Sequence, residues 1–191
     1  MTELRSICRA AIHVFLILGL LAGCAGPQIK TGIGVAPGAD FSRRVTFQFL
    51  PDAGPHTAPN SGYYHDLIGR DILAALNSQR YRYFTNRKTD LLVSYRYFSM
   101  ADEAVKNWTS YSGYKFAAGV GAQAELKRSK PTAAAGGVIV IDVIDPKPRR
   151  LIWRGWATLS AAYLNDRAAQ ERLIKDAVNK TLKELPARRS H

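Results

Sequence analysis

The sequence predicts an α+β domain: a mostly antiparallel sheet with two amphipathic helices packed on one face. Three observations lead there. Two stretches, over about 62–78 and 173–185, place apolar residues at helical spacing. Four stretches, beginning near Val45, Asp90, Val138 and Leu151, alternate or run apolar over strand lengths. Between the last two lies Asp145-Pro146-Lys147-Pro148, too short to hold a crossover, so those strands form an antiparallel hairpin.

The elements follow in order. Val45, Phe47 and Phe49 alternate with Thr46 and Gln48, the pattern of a half-buried strand. Pro51, Gly54, Pro55 and Pro59 mark a loop. Tyr64, Leu67, Ile68, Ile72, Ala75 and Leu76 share one side of a helix over Gly62 to Ser78. In the strand from Asp90 to Phe98, Leu91, Val93, Tyr95 and Tyr97 share one face and Ser94 and Arg96 the other. Val138 to Ile144 is strongly apolar. On the returning strand Leu151, Trp153, Ala157 and Leu159 are expected on one face, with Trp153 in the core and Trp156 outward. Asn165 or Asp166 is placed to cap the final helix. Its buried stripe is Leu173, Ile174, Ala177, Val178, Thr181, Leu182 and Leu185, and Pro186 stops it. Arg172, Lys175, Lys180 and Lys183 occupy its opposite side.

Residues 101–137 give no clear pattern. Trp108, Tyr111, Tyr114 and Phe116 are interleaved with Gly and Ser, and Lys127, Arg128 and Lys130 precede Pro131. The stretch reads as an insertion or a weakly patterned hairpin.

The start of the chain has a different character. Arg5 and Arg9 precede an apolar run from Ala10 to Ala22, interrupted only by His13. About 13 residues is too short for a helix across a ~30 Å hydrocarbon core. Leu21-Ala22-Gly23-Cys24 then resembles the lipobox of bacterial lipoproteins. That resemblance implies removal of 1–23 and acylation of Cys24, with palmitate among the chains. Each buried CH₂ is worth roughly 0.8 kcal/mol, so two or three chains on one residue hold a protein firmly. Ala25 follows the cysteine rather than Asp, which by the same resemblance points to the outer membrane, on its periplasmic side.

The domain organisation expected is a signal peptide over 1–23, a lipidated flexible tether over 24–39, an α+β domain over 40–186 and a basic tail over 187–191. Gly32, Gly34 and Gly38 in the tether lack the spacing of a dinucleotide fingerprint. Cys8 leaves with the signal and Cys24 is acylated, which removes cysteine catalysis and cysteine metal sites from the mature chain. The sequence carries 27 Lys+Arg against 15 Asp+Glu, a formal net charge of +12. That excess favours anionic partners. Nucleic acid is set aside, because the signal directs the chain out of the cytoplasm.

Several runs resemble the bacterial lipoproteins grouped as domain of unknown function (DUF) 4136. They are Cys24, Asp40-Phe41, Thr89-Asp90-Leu91-Leu92-Val93, Val138 to Asp145, Leu151-Ile152-Trp153-Arg154-Gly155, and a last helix ending Leu185-Pro186. The resemblance covers about 40–186 and implies location and fold; it transfers no reaction and no catalytic residue.

The search for chemistry gives little. His56, His65 and His191 have no partner at a recognised ligand spacing, so no metal and no cofactor is expected. No Gly-x-Ser-x-Gly pattern occurs. Asp142 and Asp145 point to opposite faces of an extended strand and make no acid/base pair. Asp142 needs a partner if buried, and Arg154 on the returning strand is positioned to be one. Asp145 is expected to start the turn through its side chain.

The functional expectation is a membrane-anchored, non-enzymatic binding or scaffolding module. Its partners are the membrane, through Cys24, and anionic lipid, lipopolysaccharide or an envelope protein. The partner surface is Trp108, Tyr111, Tyr114, Lys115, Lys127, Arg128, Trp156, Lys175, Lys180 and Lys183. The alternative is an envelope hydrolase or transferase acting on glycan or lipid.

Overall fold

A computed structural model describes residues 29–50, 61–99, 135–147, 150–160 and 166–186. Six strands and two helices follow one another as β1 (Thr31–Val35), β2 (Thr46–Phe49), α1 (Ser61–Ser78), β3 (Arg82–Tyr83), β4 (Leu91–Ser99), β5 (Ala135–Asp145), β6 (Arg150–Ser160) and α2 (Arg167–Leu182). The strands form one sheet in the order β1-β6-β5-β4-β2-β3.

The sheet is mixed, which corrects the expectation of a mostly antiparallel one. β1, β6, β5 and β4 pair antiparallel, but β2 runs parallel to both β4 and β3. The reason lies in the chain path. A helix between two strands carries the chain back to the end where it began, so the next strand leaves in the same direction. β2, α1 and the β3–β4 segment make that crossover. Backbone bonds from Arg82 N to the Val45 carbonyl (2.8 Å) and from Phe84 N to the Phe47 carbonyl (2.9 Å) join β3 to β2.

Both helices lie on one face and share its core. Ile68, Ile72 and Leu76 of α1 meet Ile174, Val178 and Leu182 of α2 over Phe47, Val93, Ile139, Ile141, Val143 and Trp153. Every one of those side chains is 3% exposed or less. At about 25 cal/mol per Å² of apolar surface removed from water, this layer is the main source of stability. Asp166 caps α2: the Ala169 amide donates to its Oδ1 at 3.1 Å. α2 approaches β6 closely at Gly155, where a Cβ would run into the Trp153 ring and Thr181 Cγ2.

Two further corrections concern single strands. Residues 31–35, read as part of a flexible tether, form β1 at the sheet edge. Their glycines alternate toward the face holding Arg154 and Trp156, and Gly32 lies directly opposite Trp156, where a Cβ would collide with the indole. The strand is fastened at both ends. Thr158 N donates to the Lys30 carbonyl and Ala36 N to the Ile152 carbonyl, each at 2.9 Å. The second correction is a bulge in β6. Val143 pairs with Trp153 but Ile144 with Leu151, leaving Ile152 as the extra residue. Leu151 is thereby turned to the face opposite Trp153, where it packs with Leu92 and Ile144.

Candidate functional site

A cleft of about 640 Å³ opens where the segment before β2, the start of β4 and the β5–β6 turn come together. Each wall is set by local chain chemistry. Gly38, at φ +71°, adopts the left-handed conformation that favours glycine and turns the chain after β1. Ser42 N then donates to Asp40 Oδ1 at 2.9 Å, and the buried Phe41 anchors the loop. At the far wall Lys147 N donates to Asp145 Oδ1 at 3.0 Å, a side-chain cap on the turn.

Arg44 joins the three walls. Its Nε donates to the Asp40 carbonyl at 2.7 Å, its Nη1 donates to the Asp90 carbonyl at 2.8 Å, and its Nη2 pairs with Asp145 Oδ2. Asp90 ties the first strand of the crossover to the last. Its Oδ2 accepts from Val45 N (3.0 Å), Thr46 N (2.9 Å) and Thr46 Oγ1 (2.7 Å), while Asp90 N donates back to Thr46 Oγ1 at 3.0 Å.

The electrostatics follow from those bonds. Partial burial alone pushes the Asp90 carboxyl up. The Val45 amide, the Thr46 hydroxyl and amide, and the Arg44 charge outweigh it and hold the group below the usual carboxylate range. Burial likewise pushes Asp145 up, and the Arg44 bond, the Lys147 amide and the charges of Arg44 and Arg150 bring it below its ordinary value. Both acids stay ionised and engaged. The rim is different. Arg43, Lys88 and Lys147 line the same cleft with exposed side chains and have no ion-pair partner among the described residues. Gln48 also lines it.

The chain is matched over residues 34–187 by the family model described as Domain of unknown function (DUF4136). It belongs to the DUF4136 family. The match begins inside β1 and so reaches further toward the N-terminus than the domain start expected at residue 40. No curated protein sequence matches this DUF4136 chain. Among solved structures it is similar to a PDZ domain protein from Parabacteroides distasonis, with TM-score 0.51 and 20% identity over 86% of this chain and 37% of that one. The DUF4136 chain thus spans little over a third of that protein, and the likeness is one of fold alone. It is also similar to PelC of Paraburkholderia phytofirmans, crystallised as a dodecamer, with TM-score 0.47 and 11% identity over 85% of this chain and 100% of that one.

Of the residues read as a partner surface, the described ones, Trp156, Lys175, Lys180 and Lys183, do not line the cleft. Cys24, Trp108, Tyr111, Tyr114, Lys115, Lys127 and Arg128 lie outside the described residues. Lys175 and Lys180 on α2 and Lys183 at its C-cap are exposed, but Glu171, Asp176 and Glu184 are interspersed with them, and Lys180 Nζ donates to the Ile29 carbonyl at 2.7 Å. Trp156 is corrected: it is 5% exposed beside Gly32 and offers no open surface. Asp142 and Arg154 are paired across β5 and β6, with Nε to Oδ1 at 2.6 Å and Nη2 to Oδ2 at 2.7 Å. His65 of α1 stacks on Tyr95 with ring centroids 4.7 Å apart, its Nε2 being 3.1 Å from the Tyr95 hydroxyl. Among the described residues no group of three or more His, Cys, Asp or Glu is placed to hold a metal. No described helix is long and apolar enough to cross a membrane.

Arg43, Arg44, Lys88 and Lys147 were not singled out from the sequence. One signal was present: three acids in the runs that carried the family resemblance, Asp40, Asp90 and Asp145, each have a cation within four residues. Arg43 and Arg44 follow Asp40, Lys88 precedes Asp90, and Lys147 follows Asp145.

Proposed function

We propose that this DUF4136 protein is an envelope lipoprotein, held to the outer membrane through Cys24 and facing the periplasm. It works as a non-enzymatic binding module for an anionic envelope component. The anchor is supported by Leu21-Ala22-Gly23-Cys24 after a basic start and an apolar run.

One observation carries the binding reading. In the cleft the carboxylates of Asp90 and Asp145 are consumed by internal donors, while Arg43, Lys88 and Lys147 face solvent without acidic partners among the described residues. The lining sets Arg43, Arg44, Lys88 and Lys147 against Asp40, Asp90 and Asp145, a small positive excess that lies on the exposed side chains. A hydrolase would need a base with a pKa near the working pH. Both acids are instead held below the ordinary carboxylate range. That favours binding over the hydrolase or transferase alternative.

The test is the salt dependence of binding. Full-length protein in neutral detergent is challenged with lipopolysaccharide. Exposed charges are largely screened beyond about 10 Å at 0.1 M salt. Binding that weakens steeply between low and high salt supports the reading, and binding indifferent to salt contradicts it.

A further inference from the structure

The geometry points to a phosphate group as the ligand of the cleft between the 40–45 segment, the start of β4 and the β5–β6 turn. This rests on the electrostatic reading above and names its chemistry.

The acids of the cleft are already hydrogen-bonded within the fold. Asp40 Oδ1 takes the Ser42 amide, Asp90 Oδ2 takes three donors, and Asp145 takes Arg44 and the Lys147 amide. Arg43, Lys88 and Lys147 come from three separate segments and surround one opening. Three like charges around one opening repel; Asp40, Asp90 and Asp145 in the same lining offset them only in part, four cations standing against three acids, and an anion held between the exposed cations relieves the rest.

The arrangement discriminates between anions. A planar carboxylate is satisfied by one guanidinium fork, whereas a phosphate presents three oxygens in different directions. Two lysines and one arginine lining one cleft from different segments suit the second shape, because an ammonium acts as a point charge free to approach any oxygen. Gln48 adds a neutral amide that can donate to a fourth contact.

Two further features support a site rather than a scatter of surface charge. Arg44 bonds all three walls, so the backbones that carry the cations are held in place before a ligand arrives. The volume, about 640 Å³, falls within the roughly 300–1,000 Å³ usual for small-ligand sites.

The experiment uses full-length protein in neutral detergent, with inorganic phosphate as probe followed by phosphorus NMR line broadening. Acetate is a second probe, and micelles doped with phosphatidic acid are a third. The triple substitution Arg43→Ala, Lys88→Ala, Lys147→Ala removes exposed side chains without ion-pair partners among the described residues, and circular dichroism confirms its fold. Lys175→Ala with Lys183→Ala on α2 is the comparison. Wild type binds phosphate, and the triple variant binds it at least about tenfold more weakly, roughly two- to threefold per cation. The α2 variant matches wild type. Equal affinity for inorganic phosphate and phosphatidic acid identifies the free ion as sufficient; tighter binding of the doped micelle identifies a headgroup.

A triple variant that binds like wild type overturns the site. So does acetate binding as well as phosphate, or no binding of either phosphate probe by wild type. If the α2 variant alone loses lipopolysaccharide, the cleft is the wrong place and the electrostatic reading stands. If lipopolysaccharide binding ignores salt while phosphate binding follows the triple variant, the site stands as a phosphate site and the electrostatic reading fails.

Discussion

Arg154 and Asp142 face each other across β5 and β6 and close a two-pronged ion pair, with side chains only 2% and 7% exposed. They lie on the sheet face that neither helix covers, since their neighbours Ile141 and Val143 belong to the helix-side core. Breaking a buried pair by removing one partner typically costs about 3–5 kcal/mol, because the other charge is left stranded. Asp142→Asn and Arg154→Met are each expected to lower unfolding free energy by about that amount in urea titrations. Replacing both by apolar residues is expected to recover much of the loss. Single variants as stable as wild type would show that the pair contributes nothing.

Arg44 links acidity to stability. Asp90 and Asp145 titrate below their ordinary value in the fold. Protons therefore bind more readily to the unfolded chain than to the native one. The stability these groups give is complete above the unfolded value of about 3.9 and is lost as pH falls through the depressed native values. Thermal melts of wild type are expected to hold steady down to about pH 5 and to fall below about pH 4. Arg44→Gln is expected to cost about 2 kcal/mol at pH 7, with the gap to wild type narrowing toward pH 2. A gap that stays constant across that range would separate the Arg44 contacts from the two carboxylates.

Gly32→Ala tests the edge strand. The added methyl would meet the Trp156 ring. The expected loss is about 1–3 kcal/mol, the usual range for overpacking. It should be accompanied by faster hydrogen exchange at Thr158 N, which donates to the Lys30 carbonyl at the entry to β1. Unchanged stability and exchange would mean that β1 does not sit against β6.

Asp166→Ala removes the only side-chain acceptor described for the start of α2, the 3.1 Å bond from Ala169 N. A loss of about 1 kcal/mol is expected from chemical denaturation. Asp166→Asn keeps an acceptor at that position and should restore most of it.

How much of this was legible in the sequence depends on where the information sits. The β5–β6 hairpin is written locally: an apolar run, a Pro-rich turn and a return strand place Arg154 opposite Asp142. The stripe of α2, from Leu173 to Leu182, is equally local and is buried as its spacing requires. β1 was hidden because Gly32 and Gly34 read as linker, although the glycine at 32 is demanded by Trp156. β3 has two residues, too few for a periodic pattern. The bulge at Ile152 shifts Leu151 to the other face, and alternation alone carries no mark of it. Parallel pairing of β2 with β4 was implied by the strand–helix–strand order, since a helix crossover returns the chain in the same direction. The cleft was out of reach for a different reason. Arg44 meets Asp90 and Asp145 across 46 and 101 residues of chain, and such meetings are decided by topology rather than by local pattern.

The proposed function rests on the proposed anchor at Cys24, and the intact mass of the protein recovered from bacterial membranes is its most direct test. The expected product begins at Cys24 and is heavier than its residues by two or three acyl chains, whereas the Cys24→Ser protein keeps residues 1–23 and carries no added acyl mass. A wild-type protein that retains residues 1–23, or that begins elsewhere without added lipid, would contradict the anchor.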